Sequence, residues 1–204
     1  PFDELETMIK GVYAPARFLE IFRDYIYFQD SEYDSDEREI VCRYPQFFAT
    51  RLLRESVIKS VKTKSGKGGT YFGATGCGKS YTMLFLARRL SKDPELNGPT
   101  IIMLTDRTDL DDQLSETFEN SKEYLIDENT LRIPSRKIMN QKLRDIASGG
   151  IYLMTVQKFD EDVKLLSDRE NIICISDEAH RTQYADLAEN MRKGLPNANF
   201  VAFT

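Results

Sequence analysis

Apolar residues follow one another along the chain in short continuous runs, and polar, helix-like segments separate these runs. Four runs have the length and continuity of strands that are buried on both faces of a sheet; they lie at 100–104, 151–155, 171–176 and 199–204. A buried strand that ends near Phe72 and a short strand at 130–133 are also predicted. Such runs predict a sheet that is covered on both sides.

Between the strands, apolar residues recur at helical spacing. A helix is predicted from about Tyr44 to about Val61, because proline at position 45 is tolerated in a first turn. Its predicted buried stripe comprises Phe48, Leu52, Leu53 and Val57. Another helix is predicted at 81–90, with Leu84, Ala87 and Leu90 on one face, and further helices at 109–118, 135–147 and 183–193.

The first 40 residues have a different pattern. Residues 2–28 carry apolar side chains at helical spacing that is interrupted near Gly11 and Pro15, which predicts two helical pieces. Residues 29–39 are polar and acidic, as in a connector. We therefore expect a helical extension and acidic linker at 1–40, followed by one domain at 41–204.

Strands that alternate with helices predict an α/β fold with a mostly parallel sheet and helices on both faces. In such sheets, ligands bind beyond the carboxyl ends of the strands. The polar motifs of this chain directly follow predicted strands, so they are expected to meet at one edge of the sheet.

The first of these motifs runs from Gly73 to Ser80 and fits the spacing G-x-x-x-x-G-K-[ST] of a phosphate-binding loop. Its glycines allow the backbone N–H groups to surround an anion at the start of a helix. Lys79 would pair with the β/γ-phosphate oxygens, and the Ser80 hydroxyl would bind Mg²⁺. The predicted cradle comprises Gly73, Thr75, Gly76, Cys77 and Gly78. The alternative is a glycine-rich turn that binds nothing.

The second motif, Asp177-Glu178-Ala179-His180, directly follows the strand predicted at 171–176. Asp177 would hold Mg²⁺, and Glu178 would orient and deprotonate an attacking water. This pair favours ATP hydrolysis over phosphotransfer. His180 is interpreted as a group that senses the γ-phosphate, and a proton switch or a core histidine are the alternatives.

Composition narrows the class of protein further. The 204 residues suffice for one substantial core. Three scattered cysteines and one histidine argue against a zinc cluster and fit a reducing cytoplasm. No stretch approaches the roughly 20 apolar residues that cross a bilayer, so no membrane partner is expected. The net charge is −5, but residues 43–92 are strongly basic; this stretch is either a nucleic-acid-binding stripe or a solvated helix face.

Together, these motifs resemble the first RecA-like domain of superfamily 2 helicases and translocases. Further stretches narrow the resemblance to the motor (R) subunit of type I restriction enzymes, over about 43–204. They are Arg43-Tyr44-Pro45-Gln46-Phe47-Phe48-Ala49, Thr105-Asp106-Arg107-Thr108-Asp109-Leu110-Asp111-Asp112-Gln113-Leu114, Thr155-Val156-Gln157-Lys158-Phe159 and Asp177-Glu178-Ala179-His180-Arg181-Thr182-Gln183-Tyr184.

The resemblance implies an ATP-driven motor that moves along duplex DNA without separating its strands and works with methyltransferase and specificity subunits. It implies that Gln46 contacts adenine, with Tyr44 stacking beside it. The implied contacts to the DNA backbone, which would be independent of sequence, come from Thr105, Asp106, Arg107, Thr155, Gln157 and Lys158. Thr204 matches the start of the segment that links hydrolysis to domain motion.

The sequence also departs from the family pattern. Cys77 stands where the family more often carries serine. The second RecA-like domain with its arginine finger, and an Asp…Glu-x-Lys nuclease cluster, are absent from these 204 residues, so Mg-ATP is expected to bind with little hydrolysis. Two other functions stay open: a helicase of the Asp-Glu-Ala-His type, and a non-hydrolysing scaffold.

Overall fold

The structure is a computed structural model that describes residues 2–29, 38–74, 76–105, 117–118, 120–125, 130–145, 148–159, 164–177 and 184–204. The helices are α1 (Phe2–Gly11), α2 (Pro15–Asp24), α3 (Tyr44–Thr63), α4 (Lys79–Ser91), α5 (Lys122–Leu125), α6 (Arg136–Asp145) and α7 (Tyr184–Gly194), with 3-10 turns at Pro94–Leu96 and Val156–Phe159. The strands are β1 (Ile26–Gln29), β2 (Arg38–Val41), β3 (Lys67–Tyr71), β4 (Thr100–Thr105), β5 (Thr130–Arg132), β6 (Ile151–Thr155), β7 (Ile172–Ser176) and β8 (Asn199–Phe203).

Six strands form one sheet in the order β3-β8-β7-β4-β6-β5, and every neighbouring pair in it is parallel. The predicted parallel sheet and the α/β class are therefore confirmed. Because all six strands run the same way, their carboxyl ends lie at the same edge of the sheet.

The central strands divide the core into two layers. Along β4, Ile101 and Met103 belong to the cluster that contains residues of α3 and α4, whereas Ile102 and Leu104 belong to the cluster that contains residues of α6 and α7. This alternation is the period of two of a pleated strand. All residues of β4, β6 and β7 are buried, as the apolar runs predict.

Helix α3 begins at Tyr44 as predicted, but one member of its predicted stripe is wrong. Leu53 and Val57 are buried, whereas Leu52 is 65% exposed. The buried face runs instead through Phe47, Thr50, Leu53 and Val57, spaced three or four residues apart. Leu52 lies one residue away from this face and therefore points to solvent.

The N-terminal segment contains two helices, but the helical prediction is wrong at its end. Ile26–Gln29 is a strand that pairs antiparallel with Arg38–Val41, and this second strand begins inside the region 29–39 interpreted as a connector. Tyr25 and Tyr27 are buried, and the Tyr25 ring lies 5.0 Å from that of Phe47 and 5.5 Å from that of Phe85. Aromatic burial against α3 and α4 thus extends the chain after α2. The division near residue 40 stays a prediction.

Strand β3 differs from the buried strand that was predicted. It lies at one end of the six-stranded sheet, with only β8 beside it among the described strands. Gly68 is its one buried residue, whereas Lys67 and Thr70 are exposed, and Phe72 just beyond it is 84% exposed. The helix predicted at 109–118 lies mostly outside the described residues. In the part of the chain that the structure covers, no helix combines the length and apolar character needed to cross a membrane.

Candidate nucleotide site

The loop after β3 contains two glycines in the left-handed backbone region. Gly76 and Gly78 have φ angles of +76° and +84°, in the left-handed region that favours glycine. The Cys77 N–H donates to the Ala74 carbonyl at 3.1 Å, which folds the loop back on itself. Helix α4 then begins at Lys79, and no side chain of the described residues caps its N-terminus. The first-turn amides of α4 therefore face the loop.

The two side chains predicted to contact phosphate and metal lie in the first turn of α4. The Lys79 Nζ donates to the Gly73 carbonyl at 3.4 Å, across the mouth of the loop. Lys79 and Ser80 are both half-buried. Gly73, Gly76, Cys77 and Gly78 belong to the same loop, and Thr75 lies outside the described residues.

Asp177 lies at the same sheet edge as the loop. Tyr71 at the end of β3 pairs with Phe203, and Ser176 at the end of β7 pairs with Ala202, so β8 alone separates the two strands. Two strand spacings amount to about 10 Å. The Gly73 N–H donates to the Thr204 carbonyl at 2.9 Å, and the Asp177 N–H donates to that of Leu104 at 2.9 Å. Both turns are thereby fixed to the sheet. Glu178 and His180 lie outside the described residues.

The two residues expected to contact adenine differ in exposure. Tyr44 is 73% exposed at the start of α3, and its ring lies 4.7 Å from that of Phe48. Gln46 is only 4% exposed, and its Nε2 donates to the Gly78 carbonyl at 3.1 Å. Sequence reasoning missed this bond, because nothing in the pattern links positions that are 32 residues apart.

Four of the residues expected to contact DNA are described, and they lie at or just beyond the carboxyl ends of β4 and β6. Thr105 and Thr155 pair at the ends of β4 and β6, and both are buried. The Lys158 Nζ donates to Thr155 Oγ1 at 3.1 Å, and Gln157 is exposed. Asp106 and Arg107 lie outside the described residues.

Several basic side chains of the stretch at 43–92 are paired with acidic side chains. This pairing favours the interpretation of the stretch as a solvated helix face over its interpretation as a nucleic-acid-binding stripe. Arg54 contacts Asp93, and Arg89 contacts both Glu20 and Asp24. Lys62 and Lys64 contact acids at 2.5 and 2.7 Å. These pairs neutralise much of the positive charge that the sequence displays.

Burial and charge shift the pKa values of two groups that lie away from the loop. Burial acts to raise the pKa of the Asp24 carboxyl, but the hydrogen bonds and charges of Arg23 and Arg89 outweigh it, and the net pKa is lowered. Burial raises the pKa of the Cys42 thiol to about 11. Within the described ranges, no group of three or more histidine, cysteine or acidic residues is arranged to hold a metal ion alone.

Comparison with known proteins places this loop and sheet in a family. A family model described as SWI2/SNF2 ATPase matches residues 45–204. The chain belongs to the SWI2/SNF2 ATPase family. The match includes the loop, Asp177 and all six strands of the parallel sheet, and the RecA-like α/β fold expected from the resemblance is confirmed. It excludes α1, α2 and the β1–β2 pair.

Curated relatives of this SWI2/SNF2 ATPase chain include endonuclease subunits of type I restriction enzymes. The MjaIXP subunit of Methanocaldococcus jannaschii is 36% identical over 100% of this chain and 19% of its own length. The HindI subunit of Haemophilus influenzae is 34% identical over 99% of this chain and 21% of its own. The predicted resemblance to this type of subunit is confirmed, and the chain spans about a fifth of these relatives.

Among solved structures, the crystal structure of a DEAD box protein from the hyperthermophile Methanococcus jannaschii is similar to this chain. It is 15% identical, with a TM-score of 0.45, over 88% of this chain and 50% of that one.

Proposed function

We propose that this chain is the nucleotide-binding part of the motor in a type I restriction endonuclease subunit. The motor would couple Mg-ATP hydrolysis to movement along duplex DNA, which a nuclease domain outside these residues would cleave. The observation that carries the proposal is the shared sheet edge. The loop with its left-handed glycines follows β3 and Asp177 follows β7, and β8 alone lies between these two strands. The proposal of a type I restriction system rests on the relatives that are named as endonuclease subunits of such enzymes.

The loop would bind the phosphate chain of ATP. Backbone amides from Gly73 to Ser80, with Thr75 among them, would donate to the α- and β-phosphates. The Lys79 ammonium would leave the Gly73 carbonyl and pair with the β/γ-phosphate oxygens, since a charged acceptor gives the stronger hydrogen bond. Tyr44 would stack beside the adenine, and Gln46 would contact it through its remaining N–H and lone pair.

The oxygen ligands needed for Mg²⁺ fit this site. Ser80 offers a hydroxyl from the first turn of α4, and Asp177 offers a carboxylate from the neighbouring edge position. Two protein oxygens are enough, because Mg²⁺ usually completes its shell with phosphate oxygens and water. When bound, the ion would neutralise charge that develops on the phosphates during hydrolysis.

Glu178 is proposed to orient the attacking water and accept its proton, and His180 to relay the loss of the γ-phosphate. The family resemblance implies an arginine from a second RecA-like domain, which would stabilise the charge of the transition state for fast turnover. This chain alone would then bind Mg-ATP and hydrolyse it slowly.

DNA would lie across the ends of β4 and β6. Lys158 and Arg107 would contact phosphates, Gln157 is exposed enough to reach them, and Asp106 and the two threonines would orient these groups. Because Thr105 and Thr155 are buried, they would act through neighbouring residues or backbone atoms. Methyltransferase and specificity subunits would deliver the motor to its DNA.

The test is displacement of a triplex-forming oligonucleotide from duplex DNA by the complete polypeptide that carries this chain, assembled with its partner subunits. ATP-dependent displacement without strand separation is expected, and Glu178→Gln should bind ATP but displace nothing. Separation of a short duplex would favour a helicase instead. ATP binding that DNA never converts into hydrolysis or displacement would contradict the motor and leave the scaffold.

A further inference from the structure

The Gln46 side chain is bonded at both ends of its amide. Its Oε1 accepts from the Arg43 N–H at 2.7 Å, and its Nε2 donates to the Gly78 carbonyl at 3.1 Å. The first of these bonds fixes the side chain to the N-terminus of α3. The second connects α3 to the last residue before α4. Because Gln46 is buried, water competes little for either bond.

The Gly78 carbonyl receives two further donors. The backbone N–H and the Oγ1 hydroxyl of Thr82 both donate to it at 3.1 Å. A trans peptide unit is planar, so its carbonyl and its N–H point in opposite directions. Holding the Gly78 carbonyl toward Gln46 and α4 therefore directs the Lys79 N–H into the loop, where a phosphate would lie.

Glycine at position 78 fits this arrangement in two ways. Its φ of +84° favours a residue without a side chain. A Cβ atom built there would lie 2.6 Å from Gln46 Nε2, closer than such atoms approach. The missing side chain thus leaves the space that the glutamine amide occupies.

We propose that Gln46 is a positioning residue for the phosphate cradle: it orients the Gly78–Lys79 peptide and so sets the affinity for the phosphate chain, whichever base is attached. The inference rests on the proposed nucleotide site and adds to it a role that an adenine contact does not supply. Gln46 can serve both roles, since its amide keeps one N–H and one lone pair beyond the bonds described.

Two ligands separate these roles. Isothermal titration would compare Mg-ATP with Mg-tripolyphosphate, which has no base. In Gln46→Met, which keeps the length of the side chain but has no amide, the affinity for Mg-tripolyphosphate should fall by a factor of about ten, as for one hydrogen bond in a partly charged site. The affinity for Mg-ATP should fall by at least the same factor, because the adenine contact is lost as well. Thr82→Val removes another donor to the same carbonyl and should lower both affinities less.

Ser60→Ala is the matched control in the same helix. It removes a buried bond from Ser60 Oγ to Asn199 Oδ1 of 2.6 Å, at the opposite end of α3. It should lower the unfolding midpoint while leaving both affinities unchanged. If Gln46→Met behaves in the same way, its role is merely structural and the inference is wrong.

Loss of ATP affinity alone in Gln46→Met would also overturn the inference, because it would make the glutamine a base contact only. Should Gln46→Met fail to fold, Gln46→Glu replaces it: its carboxyl can still accept from Arg43 but places an oxygen against the Gly78 carbonyl, so both ligands should bind more weakly. Failure of the unmodified chain to bind either ligand would instead refute the nucleotide site itself.

Discussion

The Arg89 guanidinium, in the last turns of α4, lies 3.3 Å from the Glu20 carboxylate of α2, measured from Nη2 to Oε1. Its Nη1 also contacts the Asp24 carboxylate. All three side chains are largely buried. The helix that begins at the phosphate loop is therefore bound at its far end to α2, outside the region that the family model matches.

Replacing Arg89 with methionine should destabilise the chain. The substitution leaves two largely buried carboxylates near each other with Arg23 and Arg51 as their remaining partners. Loss of one partner of a buried ion pair costs roughly 3 kcal/mol, and residual solvent access reduces this to about 2 kcal/mol here. Denaturant unfolding measures the change. Arg38→Met, on the exposed strand β2, is the control and should change stability little; equal losses would contradict the proposed ion-pair role.

Acid should weaken the same contact. Because the pKa of Asp24 is lowered in the folded chain, its carboxylate contributes stability above its unfolded pKa of about 3.9, and this contribution is lost as pH falls through the folded pKa. The unfolding free energy of the unmodified chain should thus fall more steeply below about pH 4 than that of Asp24→Asn. Parallel pH curves for the two proteins would contradict the assigned pairing.

Two glycines of the loop should respond differently to alanine. Both have positive φ, which costs a non-glycine residue about 1–2 kcal/mol. At Gly78 the added methyl also meets the Gln46 amide, whereas at Gly76 no described atom lies within 4 Å. Gly78→Ala should therefore lose more stability and more Mg-ATP affinity than Gly76→Ala. The reverse order, measured by unfolding and titration, would contradict the loop geometry.

Cys77 gives a chemical probe of the loop. It is half-buried among the cradle residues, whereas Cys174 is buried in β7 and the pKa of Cys42 is raised. A small alkylating reagent should modify Cys77 first, and saturating Mg-ATP should slow this reaction by covering the loop. Cys77→Ser gives the background. A rate at Cys77 that Mg-ATP does not change would argue against occupancy of the loop.

The sequence predicts those parts of the fold that depend on local pattern. Continuous apolar runs identify β4, β6 and β7, and the glycine spacing identifies the loop. The predictions are wrong where contacts between residues distant in the sequence determine the local structure. Strand β1 follows a helix without a break, and only packing of Tyr25 and Tyr27 against the core explains its extension. Leu52 and Phe72 are apolar but exposed, because the helix face and the strand position are set by the tertiary fold.

The candidate site shows the same division. The pattern predicts Lys79, Ser80 and Asp177 at one edge, and parallel pairing places all three there. It does not predict the bond from Gln46 to Gly78, which exists only because α3 packs against the start of α4.

Titration of Mg-ATP into this chain and into Lys79→Ala measures whether the loop binds the phosphate chain. The melting temperature is a second readout, since a ligand that binds only the folded state raises it. We expect saturable binding and a raised melting temperature for the unmodified chain, and loss of both in Lys79→Ala. Equal affinity in the two proteins would show that the phosphate chain is not bound by this loop.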